Sequence, residues 1–412
     1  MNKQIIVLLF VVFFGFLGAA MPYPIFSPLF LNPENNGFIP PQYSLTTRGI
    51  FLGITLAAYP FGQFIGSPIL GSLSDQLGRK KLLFISMLGT GLCYIISGLS
   101  IHYGLVWILI LSRLLTGFLE GNLAIAQASI ADMSISKHKG FGAVSAMASM
   151  GYVFGPLLAG ILSNNHLVSW FNFSLPFYAA SCIAIITALN ILLWTRETLK
   201  QPLIKSTSLL NQFNLIRRFT ELSKNVDLKW LLIGGFFLCL SIDAYYEFFP
   251  ALLVGRWNMS VFDISVYTVV LSIALTIGSY WIPSLLSRKY TNDFCMLLMI
   301  LIFPLMYVFM LLTDNTYFLY LQFAIIGLSY GSACTFHTVL VSDNAPHHQQ
   351  GEVMGMRWGL RMLGDALISI FGGLLIAFSI NLPIILAIIC AGLSFVLLYK
   401  RLTFYAPLST SS

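Results

Sequence analysis

Residues 71–81 read GSLSDQLGRKK, a polar and basic stretch between two long apolar ones. The flanking stretches have their centres near Tyr59 and Thr90. Each has about the 20 residues that a helix needs to cross the hydrocarbon core of a bilayer. This part of the sequence therefore predicts two membrane-spanning helices joined by a short turn.

The same pattern extends along the whole chain of 412 residues, of which 57% are hydrophobic and 9% charged. A soluble domain carries roughly 25% charged residues. Twelve apolar stretches, called segments 1–12 here, have their centres near Phe13, Tyr59, Thr90, Leu119, Gly151, Ile185, Leu240, Ser272, Phe303, Gly327, Gly364 and Ala391. Such long stretches are typical of helices rather than barrel strands, and lipid admits only these two structures. The predicted fold class is an all-α membrane protein with twelve transmembrane helices.

Lysine and arginine lie almost entirely at the termini and in alternate loops, while the opposite loops hold only Arg48 and Arg256. The positive-inside rule then places both termini in the cytoplasm and the chain in the inner membrane. The formal net charge of +7 is explained by this topology and predicts no nucleic-acid partner. The six cysteines lie singly inside apolar segments, so we expect no disulfide, metal or other cofactor.

A polar and basic stretch separates segment 6 from segment 7. We predict two six-helix bundles, residues 1–195 and 229–412, joined by a cytoplasmic linker at 196–228; the linker is either a short surface helix or an unstructured tether. Small residues recur 210 positions apart, since Gly117 and Gly121 are matched by Gly327 and Gly331. Such repeats are how many secondary transporters place a site near the bilayer midplane.

Three motifs carry a resemblance to a known family. Residues 71–81 resemble the GxxxDxxGRK motif of the major facilitator superfamily, and RLLTG at 113–117 resembles its RxxxG motif. GYVFGPLLAG at 151–160 resembles the GxxxGPxxGG motif of the drug:proton antiporter branch, and RET at 196–198 is similar to the PET segment of that branch without its proline. The resemblance implies two pseudo-symmetric bundles that transport a small solute by alternating access.

The turn at 71–81 has two possible roles. Gly71 and Gly78 are expected to permit a tight connection, and the resemblance implies that Asp75, Arg79 and Asp132 form a charge cluster against the N-terminus of segment 11. We call these five residues the latch. The alternative is that the charges only set the topology. Residues 285–289, the corresponding stretch of the second half, lack the glycines and the aspartate.

The motif at 151–160 lies in segment 5. Its proline, Pro156, removes a backbone donor and is expected to bend the helix. Gly151, Gly155 and Gly160 are expected to let neighbouring helices approach and slide. These four residues form the predicted segment-5 hinge.

Seven charged residues lie inside the segments: Arg113, Glu120, Asp243, Glu247, Arg357, Arg361 and Asp365. Leaving all of them unpaired would cost on the order of 20 kcal/mol, so they must be paired, protonated or hydrated. Asp243 and Glu247 lie one turn apart on segment 7 and are the first candidates for proton coupling, with Glu120 next. The alternative is that an arginine neutralises one of these carboxylates permanently.

The substrate-binding candidates are the remaining intramembrane charges and two aromatic residues: Arg113, Arg357, Arg361, Asp365, Tyr330 and Trp358. Arg361 and Asp365 lie four residues apart and could form a local ion pair. Arg357 either snorkels or offers its planar fork to an anion. Arg113 and Glu120 are expected to point into the same cavity.

The predicted function is proton-coupled efflux of a drug or metabolite by a monomer in the lipid bilayer. A proton-coupled importer of an anionic metabolite or siderophore stays open, because segment 1 carries no acidic residue and segment 11 carries two arginines. A polytopic membrane enzyme is the remote alternative, and no spacing of nucleophile, base and acid supports it. Substrate identity, the direction of transport, the coupling ion, its stoichiometry and the oligomeric state are not fixed by the sequence.

Overall fold

The computed structural model describes residues 3–32, 38–40, 42–123, 125–126, 129, 137–197, 225–345 and 350–405. Its helices are α1 (Lys3–Ala20), α2 (Pro22–Leu31), α3 (Leu45–Leu77), α4 (Arg79–His102), α5 (Val106–Leu119), α6 (Lys137–Leu162), α7 (Leu175–Trp194), α8 (Val226–Trp257), α9 (Val261–Leu286), α10 (Asn292–Leu312), α11 (Thr316–Asn344), α12 (Gln350–Ile376) and α13 (Leu382–Tyr405). Helices α1 and α2 together occupy segment 1, and each later helix occupies one segment. The all-helical fold with twelve spans is thereby confirmed, and nine spans within the described residues are long and apolar enough to cross a membrane.

Local sequence explains where several helices begin. Pro22 stands at the first position of α2, where its missing N–H costs nothing. The Ser44 hydroxyl caps α3 by accepting a hydrogen bond from the Thr47 N–H at 3.2 Å. Gly78 alone separates α3 from α4, and its φ of 95° is a value that glycine adopts without strain.

Two details differ from the sequence-based expectations. Gly71 lies inside α3 rather than in the turn, and a Cβ there would meet nothing within 4 Å, so the tight connection depends on Gly78. Segment 4 was expected to have its centre near Leu119, but α5 ends at that residue and Glu120 with Gly121 forms a turn. Hydrophobicity continues past this turn, which is why the pattern did not reveal it.

In each half of the sequence, the repeated glycines let two neighbouring helices pack closely, and the helix pair is the equivalent one in both halves. A Cβ at Gly121 on the α5 side would lie 2.6 Å from the Ser67 nitrogen of α3. A Cβ at Gly327 of α11 would lie 2.5 Å from the Leu271 carbonyl oxygen of α9. Segments 2 and 4 therefore pack backbone to backbone, and segments 8 and 10 do the same, because small residues allow this approach.

The chain divides into two compact units. The first comprises Met1–Phe213, Pro250–Val269 and Ser369–Ile380, and the second comprises Asn214–Phe249, Val270–Ile368 and Asn381–Ser412. Inside the first unit, a Cβ at Gly53 of α3 would lie 2.6 Å from the Ser369 carbonyl oxygen of α12. The ends of α8, α9 and α12 that lie farthest from the basic loops thus pack within the first unit. The boundaries 1–195 and 229–412 stay a prediction, and most of the linker, 198–224, is outside the described residues.

Candidate functional site

Glu120 is the centre of a buried polar cluster in the first unit. It follows the last residue of α5 and is 1% exposed. The Tyr59 hydroxyl of α3 donates a hydrogen bond to Glu120 Oε2, and the Tyr94 hydroxyl of α4 donates one to Oε1 at 3.0 Å. Gly18 of α1 faces this pair, because a Cβ there would lie 3.1 Å from Glu120 Oε1 and would collide with the Tyr94 hydroxyl.

Arg113 reaches Glu120 through an aromatic ring. Its guanidinium carbon lies 4.7 Å from the centre of the Tyr59 ring, within the range of a cation–π interaction. Tyr59 therefore presents its face to Arg113 and its hydroxyl to Glu120. Within the described residues, Arg113 Nε and Nη1 are buried and donate to no hydrogen-bond acceptor.

The shared cavity expected for Arg113 and Glu120 stays a prediction. Glu120 borders a small cavity between α1, α4, α5 and α7, and Arg113 is not part of its lining. Tyr59 and Tyr94 complete this cluster, and neither is among the site residues predicted from the sequence.

The second cluster lies in the second unit. Arg361 Nη2 of α12 lies 3.0 Å from Asp243 Oδ1 of α8, and the side chains are 28% and 8% exposed. Asp365, one turn after Arg361, lies close to Glu247 of α8, and both side chains are buried. Asp243 of α8 is therefore paired with a cation, and Glu247 of α8 lies beside a second acid. Arg361 forms an ion pair across to α8, and the local pair with Asp365 that the sequence suggested stays a prediction.

Aromatic side chains and a further arginine surround this cluster. The Arg361 guanidinium carbon lies 5.8 Å from the centre of the Trp358 ring, and Trp358 is 37% exposed. Tyr330 is buried and packs edge-on against Phe303. Arg357 is half-buried, and its Nε has no hydrogen-bond partner in the described part of the chain. No group of three or more His, Cys, Asp or Glu among the described residues is arranged to hold a metal ion.

The latch is described only in part, because Asp132 and the side chain of Asp75 lie outside the described residues. The structure adds a residue that sequence reasoning had quoted only as part of a motif. The Glu197 carboxylate accepts hydrogen bonds from the Arg79 and Lys80 backbone N–H groups at 3.0 and 3.1 Å. A carboxylate at this position accepts from the first N–H groups of α4, which have no partner inside the helix, and complements the positive end of the α4 dipole.

The segment-5 hinge lies in α6, which continues through Pro156 to Leu162. A Cβ at Gly151 would lie 2.6 Å from the Phe13 carbonyl oxygen, and one at Gly155 would lie 2.6 Å from that of Leu17, so both glycines face α1. A Cβ at Gly160 would instead lie 2.6 Å from the Ser265 Cβ of α9. One helix thus packs closely on two others through its small residues.

The comparisons with known proteins agree with this architecture. A model of the Major Facilitator Superfamily matches residues 8–369. Multidrug resistance protein 2 of Bacillus subtilis (strain 168) is 26% identical over 415 aligned positions, which cover 96% of this chain and 95% of that protein. The class B tetracycline resistance protein of Escherichia coli is 34% identical over 148 residues, 35% of each chain.

Solved structures share the fold at low sequence identity. A D-xylose–proton symporter matches with a TM-score of 0.75 at 13% identity and covers 96% of both chains. A human organic anion transporter matches with a TM-score of 0.69 at 16% identity and covers 96% of this chain and 98% of that one. The family is one of membrane transporters and not of enzymes. With its match across most of the sequence and its helices of membrane-spanning length, this chain belongs to the Major Facilitator Superfamily and is a multi-pass membrane transporter.

Proposed function

We propose that the protein exports a drug or metabolite across the inner membrane in exchange for protons, as a monomer with both termini in the cytoplasm. The observation that carries the proposal is the arrangement of ionisable side chains on α8 and α12: Asp243 pairs with Arg361 at 3.0 Å, and the buried acids Glu247 and Asp365 lie close to each other. Two carboxyl groups can hydrogen-bond to each other only when one of them holds a proton. In this proposal Glu247 and Asp365 share one proton.

The net charge of the second cluster depends on how many protons it binds. With a single proton shared between Glu247 and Asp365, the four side chains carry a net charge of about −1, and one more proton on Asp243 makes it about 0. That proton also removes the attraction that holds Arg361 to α8. Protonation thus changes both the charge in the membrane and a contact between two helices, which is what coupling to a conformational change requires.

Export is favoured by the relatives and by segment 5. The similar proteins of Bacillus subtilis and Escherichia coli are named for resistance to multiple drugs and to tetracycline. The motif at 151–160 resembles that of the drug:proton antiporter branch, and its glycines make the close helix contacts described above. These observations support outward movement of the substrate against inward movement of protons.

Uptake of an anionic metabolite is the second candidate, and Arg357 is the observation that favours it. This arginine is half-buried in α12, and its Nε lacks an acceptor among the described residues. A guanidinium in such a place can form a two-point contact with a carboxylate or phosphate. Arg361, in contrast, already has a carboxylate partner of its own.

Transport in proteoliposomes tests the proposal. Asp243→Asn and Glu247→Gln should abolish transport driven by a pH gradient yet preserve substrate exchange at equal pH. The panel would contain a tetracycline, the lipophilic cation ethidium and an aromatic carboxylate, so that substrate charge is read in the same experiment. Asp314→Asn, at an exposed position between α10 and α11, is the matched control for loss of one carboxylate. Full gradient-driven transport by both α8 variants would refute proton coupling through α8.

A further inference from the structure

A cavity beside Glu120 has the size and lining of a water site. Its volume is about 10 Å³, close to the smallest space that accommodates one water molecule. It lies between α1, α4, α5 and α7, and its polar lining consists of Thr90, Tyr94, Glu120 and Asn122. Buried waters in proteins typically have two to four polar partners, a number that this lining supplies.

Thr90 provides an independent indication of a ligand. Its side chain is 2% exposed, and its Oγ1 is buried with no hydrogen-bond partner in the described part of the chain. Other hydroxyls on the same helix are satisfied, since Ser86 and Ser97 donate to the carbonyl oxygens of Leu83 and Cys93. A buried hydroxyl that is left without a hydrogen bond destabilises the folded protein, and a water in the adjoining cavity would remove that penalty.

We propose that this cavity holds one water molecule bound to Thr90 and Glu120, and that Glu120 is thereby a second proton-binding site, separate from the acids of α8. The water can donate to an ionised carboxylate and accept from a protonated one. The hydroxyls of Tyr59 and Tyr94 already donate to the two carboxylate oxygens, so the water supplies the flexibility that proton exchange needs. The role of this site in transport rests on the proposed proton coupling.

The groups that face Glu120 permit both of its charge states. Tyr59 approaches from α3, Cys93 and Tyr94 from α4, and Arg113 from α5. Helices α1 and α7 contribute only glycine and apolar side chains to the cavity wall. Arg113 is the single permanent charge in this set, and it reaches Glu120 through Tyr59 rather than by a direct ion pair. The carboxyl group is therefore stabilised but not locked in its ionised form.

Infrared difference spectroscopy of the purified full-length protein tests the inference, with acidic-minus-neutral spectra recorded in ordinary water and in water enriched in oxygen-18. We expect a protonated carboxyl band that Glu120→Gln removes, and a water O–H band that shifts with the oxygen isotope. Thr90→Ser, which keeps the hydroxyl, should retain the water band. Thr90→Val, which replaces the hydroxyl with a methyl group, should lose it.

Proton counting on the same samples gives a second measurement. Acidification of the Glu120→Gln protein should bind one proton per molecule fewer than acidification of the wild type. An unchanged proton count in that variant, no isotope-sensitive water band in the wild type, or an unaltered band in Thr90→Val would each overturn the inference. These measurements use no substrate and no gradient. A failure of the α8 variants in transport would therefore be distinguishable from a failure here.

Discussion

The ion pair between Arg361 and Asp243 allows a quantitative prediction. Breaking a fully buried pair by removing one partner costs about 3–5 kcal/mol, whereas exposed pairs contribute about 0.2–1 kcal/mol. Here the N–O distance is 3.0 Å, Asp243 is 8% exposed and Arg361 is 28% exposed. Because solvent partly screens the arginine, we expect a coupling energy of about 2 kcal/mol, between these limits.

A double-mutant cycle measures this coupling energy. Asp243→Asn and Arg361→Gln should each lower the free energy of unfolding by about 2 kcal/mol, and the double variant should lose about 2 kcal/mol less than the sum of the two. Arg361→Gln should be the more harmful at neutral pH because it leaves the more buried partner charged. Its penalty should shrink as the pH falls, since Asp243 can then bind a proton.

The assay is unfolding of the purified protein in detergent, followed by near-ultraviolet circular dichroism at two pH values. Arg357→Gln is the matched control, because this arginine lies one turn earlier on α12 and forms no ion pair with Asp243 among the described residues. A double-mutant cycle of Arg357→Gln with Asp243→Asn should give a coupling energy below about 0.5 kcal/mol. Strictly additive effects of Asp243→Asn and Arg361→Gln would refute the assigned ion pair.

Two further predictions concern packing and a buried ion-pair network. Gly18→Ala should lower the free energy of unfolding by about 1–3 kcal/mol, because the new Cβ collides with the Tyr94 hydroxyl beside Glu120. The control is Gly392→Ala, where a Cβ meets nothing within 4 Å, and it should be neutral or slightly stabilising. Equal effects of the two variants in thermal unfolding would contradict this prediction. Arg401→Gln should cost about 3–5 kcal/mol, because buried Arg401 pairs with Asp227 at 3.1 Å and with Asp293 at 2.5 Å and so joins α8, α10 and α13. Adding Asp227→Asn and Asp293→Asn should recover part of that loss in the same unfolding assay, and no recovery would rule out the electrostatic explanation.

The helices could be predicted from the sequence because the lipid requirement is simple and local. A helix in a bilayer needs a run of apolar residues, and eleven of the twelve predicted centres fall well inside the observed helices. Segment 4 was the exception, since its regular helix ends at Leu119 although the apolar sequence continues. The repeat of Gly117 and Gly327 was equally readable, because close helix contacts require small residues at fixed spacing.

The partners of the buried charges could not be predicted, because they depend on how helices are rotated against one another. Arg361 has an acid four residues away on its own helix, but its approach to Asp243 on α8 could not be foreseen. Tyr94 is one of many aromatic residues in the sequence, and only its approach to Glu120 distinguishes it. Thr90 resembles any membrane threonine until its position beside a cavity and its unpaired hydroxyl are seen.

Two sequence features had favoured uptake over export, namely the lack of an acidic residue in segment 1 and the two arginines of segment 11, and the structure bears on both. Segment 1 carries no acidic residue, but Gly18 leaves room beside α1 for the carboxylate of Glu120, which α5 supplies. A carboxyl group can therefore stand next to α1 although α1 does not carry one. Of the two arginines in α12, Arg361 is already neutralised by Asp243. The case for an anionic substrate consequently rests on Arg357. Replacing Arg357 should impair transport if the protein takes up an anion and should spare it if the protein exports a drug.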